Sequence, residues 1–140
     1  MHVDLLVGPL WVGTPLYPAS DRADPKLIFD TEMNYIALND WKCYDLQYCD
    51  DYLYKPSASS TSSEVEGKKL LAVTNQFGSF EAVQYKDKIC VDKQDSMCVE
   101  DYQFYSVLDS RHNLYLIEDV EGVIGLAAGS PFQDATPLAQ

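Results

Sequence analysis

Leu27-Ile28-Phe29-Asp30-Thr31 places an ionisable carboxylate at the mouth of an apolar run, and the pair Asp30-Thr31 has no second copy in the chain. A carboxylate half-removed from water is costly unless the fold has a reason to hold it there. Working outward, apolar and aromatic runs of the same kind recur between polar, Pro or Gly breaks. They are Val3 to Val7, Lys26 to Phe29, Tyr35 to Leu38, Leu70 to Thr74, Ala82 to Tyr85, Ile89 to Val91, Tyr102 to Leu108, Leu114 to Ile117 and Gly122 to Ala127. Runs this short, rich in valine, isoleucine and tyrosine, predict strands rather than helices. The expected fold is mostly β with little helix. Between Asp40 and Leu53 the pattern allows one short helical turn and no more.

Three polar stretches separate or follow these runs: a Pro/Asp-rich loop from Pro15 to Pro25, a polar tract from Pro56 to Glu66, and a Pro-containing tail at 131–140. The Ser-rich segment Ser57 to Ser63 reads as a solvated loop, with O-glycosylation as the alternative. No internal repeat is visible. With 140 residues, of which 46% are hydrophobic, the chain has material for one core and reads as one domain.

Ten Lys and Arg against 22 Asp and Glu give a net charge of -12. That surplus repels a phosphate backbone, so nucleic acid is not an expected partner. The longest apolar stretches fall far short of the roughly 20 residues a membrane helix needs, so no membrane span is expected. No basic start followed by an apolar stretch and a small-residue cleavage site occurs at Met1, which suggests a targeting segment already removed or an interior piece of a longer chain.

Four cysteines fall into two local pairs, Cys43 with Cys49 and Cys90 with Cys98. Local disulfides are the simplest of the three possible pairings, since each closes a short loop. Zinc is the rival reading, but neither pair has the two-residue spacing of a zinc knuckle, and neither His2 nor His112 lies beside a pair. Free thiols remain a third option. No metal and no cofactor is expected. Disulfides imply the secretory pathway, a vacuolar or lysosomal compartment, or the extracellular space. No Asn is followed two residues later by Ser or Thr, so there is no N-glycosylation sequon.

Four segments, in order, resemble the N-terminal lobe of the pepsin-like aspartic proteases of eukaryotes. Val12-Gly13-Thr14-Pro15 is similar to the family's Ile-Gly-Thr-Pro turn, and Ile28-Phe29-Asp30-Thr31 to its Val-Phe-Asp-Thr, whose aspartate is catalytic. Cys43 to Cys49 and Tyr54-Lys55-Pro56-Ser57-Ala58-Ser59-Ser60-Thr61 resemble its small disulfide loop and the segment after it. Glu121-Gly122-Val123-Ile124-Gly125-Leu126-Ala127 resembles Asp-Gly-Ile-Leu-Gly-Leu-Ala, the strand that braces the aspartate loop. The resemblance implies a single acid-protease lobe over 1–130, built of six-stranded or barrel-like sheets with a ψ-loop. The residues between Pro15 and Lys26 would be an insertion in the first hairpin.

Thr74-Asn75-Gln76-Phe77-Gly78-Ser79 resembles the family's substrate-covering flap, Thr-Tyr-Gly-x-Gly-Ser. By that resemblance Asp30 and Thr31 stand at the catalytic positions and Asn75, Phe77, Gly78 and Ser79 at substrate-binding ones. Asn75 replaces the flap tyrosine, with Phe77 or Tyr85 as stand-ins under a register slip. The departures concern chemistry. Aspartic proteolysis uses two carboxylates sharing a proton, one activating water and the other donating to the carbonyl oxygen. Asp30 supplies one. Val107-Leu108-Asp109-Ser110 is the other apolar run ending in Asp, and it reads as a strand end. After Asp30-Thr31 the family has Gly then Ser, where this chain has Glu32 and Met33, adding bulk and a like charge beside Asp30. Ala37 replaces a tryptophan, with Trp41 close by.

The expectation is a catalytically inert half-domain serving as a structural or binding module in a larger assembly, meeting a protein partner or a second copy through its exposed lobe face. The alternative is the N-terminal portion of an active aspartic endopeptidase, cleaving peptides once a second lobe or chain completes it. A carbohydrate-binding or inhibitory β module of unrelated ancestry is a third class.

Overall fold

The computed structural model describes residues 6–19, 24–31, 33–65, 70–75, 78–112, 120–127 and 135–137. Its strands are β1 (Leu6–Gly8), β2 (Trp11–Val12), β3 (Leu27–Asp30), β4 (Ile36–Asn39), β5 (Ser63–Glu64), β6 (Leu71–Asn75), β7 (Gly78–Cys90), β8 (Cys98–Asp109), β9 (Gly122–Gly125) and β10 (Ala135–Pro137). Helix is confined, among the described residues, to α1 (Trp41–Asp45) and a 3₁₀ turn at Pro56–Ala58. The protein is mostly β.

All the strands join one sheet in the order β1-β3-β9-β4-β8-β7-β6-β10, with β2 and β5 added against β7, and the sheet curls into a half-barrel. Its alternation explains the sequence pattern. Ile28, Ala37, Tyr105 and Val123 turn to a core that also holds Met33, Tyr35, Val73 and Phe80. Their neighbours Leu27, Ile36, Leu38, Phe104 and Ile124 turn to a second core with Val12, Leu53, Tyr54 and Ile89. Successive strand residues point to opposite faces, so a strand covered on both sides reads as an unbroken apolar run. Leu27-Ile28-Phe29 and Val123-Ile124 are such runs.

Strand β9 lies between β3 and β4. It pairs parallel with β3, Leu27 to Gly122 through Asp30 to Gly125, and antiparallel with β4, Ile36 to Ile124 through Leu38 to Gly122. Two strands joined by a short loop with a third threaded between them form a ψ-shaped arrangement, and the turn at its mouth carries Asp30.

Both cysteine pairs are disulfides, Cys43 with Cys49 and Cys90 with Cys98. The first ties α1 to the loop that follows it. The second bridges directly opposed residues at the tip of the β7/β8 hairpin, each loop short enough to contribute about 2–3 kcal/mol by restricting the unfolded chain. Asp40 caps α1, its Oδ1 accepting from the Lys42 amide at 2.9 Å.

Several sequence expectations are refined. The runs at Ala82–Tyr85 and Ile89–Val91 belong to one strand, β7, which continues through Lys86-Asp87-Lys88 with a bulge between Asp87 and Ile89. A strand of polar and apolar residues pairs as well as an apolar one when its neighbours supply the ladder. Ala135–Pro137, within the stretch read as a tail, pairs antiparallel with β6. Leu114 to Ile117 lies outside the described residues. No helix among the described residues is long and apolar enough to cross a membrane.

Candidate functional site

Asp30 ends β3 and is buried to 7% exposure, whereas Thr31 beside it is exposed. By strand alternation Asp30 shares the face of Ile28, the face that carries Met33, Tyr35 and Phe80. The turn after Asp30 is held by three backbone bonds from the end of β9. The Leu126 amide donates to the Asp30 carbonyl at 2.8 Å, the Ala127 amide to the Met33 carbonyl at 2.8 Å, and the Gly125 amide to the Tyr35 carbonyl at 2.7 Å. Gly125 is required by this approach: a Cβ there would lie 2.5 Å from the carbonyl oxygens of both Met33 and Tyr35. Gly122 plays the same part against Ala37, whose carbonyl oxygen would stand 2.3 Å from an added Cβ. Ala37 thus sits at a close backbone crossing.

Strands β6 and β7 pair antiparallel around the segment that carries Asn75, Phe77, Gly78 and Ser79. Asn75 pairs with Gly78 and Thr74 with Ser79, leaving a two-residue connection, and Gly78 takes φ +125°. Tight hairpin ends need such positive φ values, which glycine adopts without steric cost. The Ser79 amide donates to the His112 carbonyl at 2.9 Å. Glu32, Phe77 and the side chain of Asn75 lie outside the described residues. The hairpin base meets the aspartate turn through aromatic rings: Tyr35 packs 6.1 Å from Phe80 and edge-on to Tyr105 at 5.4 Å, centroid to centroid. So Asp30, Gly78 and Ser79 belong to elements joined by one core. Tyr85 is elsewhere on β7, paired with Glu64 and Phe104 and edge-on to Tyr54, so the register-slip idea does not apply to it.

Asp109 ends β8, with β9 and β4 intervening between it and β3 in the sheet. Burial opposes its ionisation, but hydrogen bonds and charge from the Arg111 guanidinium prevail and hold the carboxyl below its usual range. Arg111 in turn lies over the Tyr48 ring, 3.9 Å from its centroid. These contacts close a strand end.

No protein-family model and no curated protein matches the chain.

A second buried carboxylate was not singled out by the sequence. Asp87, fully buried on β7, accepts from the Tyr54 hydroxyl at 2.9 Å, the Thr61 hydroxyl at 2.6 Å and the Lys88 amide at 2.7 Å. Burial first, and then the neighbouring Asp87 charge, push the Tyr54 phenol well up, so it stays a donor. Ser59 accepts from the Thr14 amide at 3.1 Å, and Thr14 and Thr61 hydroxyls meet at 2.9 Å. Asp87 therefore fastens the Pro56–Thr61 segment and the Gly13-Thr14 turn to β7. The signal in the sequence was an aspartate inside an otherwise strand-like run, between Tyr85 and Ile89.

Among the described residues, Cys90, Asp95 and Cys98 are the three-residue group close enough to share an ion. Both sulfurs are engaged in the disulfide, which leaves a single carboxylate, itself paired with the Lys88 ammonium at 2.9 Å.

Proposed function

We propose that this chain is a catalytically inert lobe of the pepsin-like kind, acting as a structural or binding module. The observation that supports the lobe reading is the threading of β9 between β3 and β4, with its backbone amides bracing the turn that carries Asp30. The inert reading is supported by Met33, which fills the core beside Tyr35 and Phe80 where the family places a small polar residue. A thioether is at most a weak acceptor and, having no hydrogen to donate, cannot hydrogen-bond to a carboxylate. Leu126, whose amide holds the Asp30 carbonyl, is 57% exposed, an apolar side chain beside the aspartate turn of the sort that meets a partner.

The purified chain, incubated at acid pH with a denatured protein substrate, is expected to release no peptides above a buffer blank. Pepstatin-sensitive turnover that disappears in Asp30→Asn would overturn the inert reading and favour the endopeptidase alternative. For the module, sedimentation velocity is expected to show self-association, or capture by a purified binding partner, that Leu126→Glu weakens. A monodisperse monomer unaffected by Leu126→Glu, with no partner bound, would count against it.

A further inference from the structure

Strand β8 has neighbours on both sides for only part of its length. β4 pairs with it from Tyr105 to Val107, whereas from Cys98 to Gln103 its ladder runs to β7 alone. Among the described residues no backbone hydrogen bond from another segment reaches that stretch. The edge of β8 that faces away from β7 is therefore open there. An open edge is a row of amides and carbonyls ready to pair with a further strand.

The face beside this edge is apolar. Directly opposed residues of paired strands share a face. Ile89 stands opposite Val99 and Asp87 opposite Tyr102, and the Val91 amide donates to the Met97 carbonyl at 3.0 Å. The row that holds Phe104 and Ile89 in the core thus runs outward through Tyr102, 39% exposed, Val99, 56%, and Met97, 63%, with Val91 beside it at 58%. Four of the eight exposed large apolar residues among the described ones lie on this one face, so they form a patch rather than scatter.

The edge is also selective. Glu100 and Asp101 together stand opposite Lys88, a bulge in which Asp101 takes φ +50°. Both are exposed, and among the described residues neither has an ion pair or a side-chain hydrogen bond. A second copy paired antiparallel here would set carboxylates against carboxylates on molecules that each carry a net charge of -12. The same two charges favour a strand with basic side chains. The edge is fixed in advance: the Cys90 to Cys98 disulfide ties the hairpin, and the Asp92 carboxylate closes its loop by accepting from the Ser96 and Met97 amides at 3.0 and 3.1 Å. Little ordering cost then opposes pairing.

We propose that the open edge of β8, from Cys98 to Gln103, takes up an extended basic segment of another protein as an added strand. Main-chain bonds to the edge supply the ladder, apolar side chains of the segment cover Met97, Val99 and Tyr102, and its cations meet Glu100 and Asp101. The inference uses neither Asp30 nor Leu126. Its failure leaves the inert-lobe reading standing, and peptide release at acid pH would leave this one standing.

The probe is the blocked heptapeptide Lys-Val-Lys-Val-Lys-Val-Lys, titrated into the intact chain at physiological ionic strength. Saturable binding is expected, with amide shifts and slowed amide exchange centred on Cys98 to Gln103. Fully N-methylated, the same peptide keeps its charge but has no amide donors, and it should bind at least about tenfold more weakly. The acidic counterpart Glu-Val-Glu-Val-Glu-Val-Glu should not bind. Glu100→Lys, at an exposed position, should weaken the basic peptide about tenfold, and Val99→Ser about fivefold through lost apolar contact. Should Glu100→Lys fail to fold, Val99→Ser and the N-methylated peptide decide. No saturable binding of the basic peptide, equal binding of its N-methylated form, binding of the acidic peptide, shifts centred away from β8, or affinity unchanged in Glu100→Lys or Val99→Ser overturns the proposal. Dimerisation of the chain that Val99→Ser weakens would give the edge to a second copy and overturn it as well.

Discussion

Gly125→Val should abolish the folded state. The missing side chain at this position is what lets β9 press against the turn after Asp30, where an added Cβ would stand 2.5 Å from two carbonyl oxygens and 2.6 Å from the Met33 carbonyl carbon. None of these atoms belongs to a flexible side chain that can rotate away. Relief requires β9 to move, and movement breaks the amide bonds from Gly125, Leu126 and Ala127 to Tyr35, Asp30 and Met33. Alanine should cost about 3 kcal/mol, the upper part of the overpacking range. Valine, with two further methyl groups, should cost at least about 5 kcal/mol, comparable with the whole stability of a small domain. The check is urea unfolding by circular dichroism. A cooperative transition for Gly125→Val within about 1 kcal/mol of the parent's free energy would show that β9 does not sit this close to the turn.

Asp87→Ala should give the second largest loss, by a different route. Removal of the carboxylate leaves the Tyr54 hydroxyl, the Thr61 hydroxyl and the Lys88 amide without their acceptor. Orphaning a buried donor costs about 1–3 kcal/mol. Thr61 lies at the edge and can turn to water, whereas Tyr54, 1% exposed and packed edge-on to Phe104 at 4.8 Å, cannot. The sum expected is about 3–5 kcal/mol, which lowers the melting temperature by roughly 10–15 °C for a chain of this length. Asp87→Asn keeps one acceptor oxygen and should lose less than half as much. The double change Asp87→Ala with Tyr54→Phe should recover part of the loss, because the orphaned hydroxyl goes with its partner. Additive losses in that cycle would mean that the Tyr54 to Asp87 contact contributes nothing.

These two positions show different degrees of legibility. Gly125 stood in a run quoted from the sequence because apolar-apolar-Gly next to a resembling aspartate run invited attention. Why it must be glycine is a matter of backbone crossing distance, which no periodicity encodes. Asp87 was passed over, since an aspartate between lysines looks like a solvated break in an apolar run. The sheet continues through it because β2, β5 and β8 all supply partners to β7, and its carboxylate turns to hydroxyls contributed by residues far away in the chain. The short strands themselves were readable from their apolar runs, and both disulfides from cysteine spacing. The two-residue strands β2 and β5 were not, being too short to carry a pattern.

The ladder between β3 and β9 has a kinetic corollary. It unites segments near opposite ends of the described chain, and Lys26 and Glu121, at its start, are separated by 95 positions. The β7/β8 hairpin, by contrast, closes over a handful of residues. Hairpins of that kind zip in about 1–10 μs, while a distant parallel pairing must await a long loop closure and belongs to the slow millisecond-to-second class of topologies. The β3/β9 side of the sheet is therefore expected to assemble after the β7/β8 hairpin, and during that interval the bare sides of β3 and β4 are the surfaces on which nascent molecules would stick to one another.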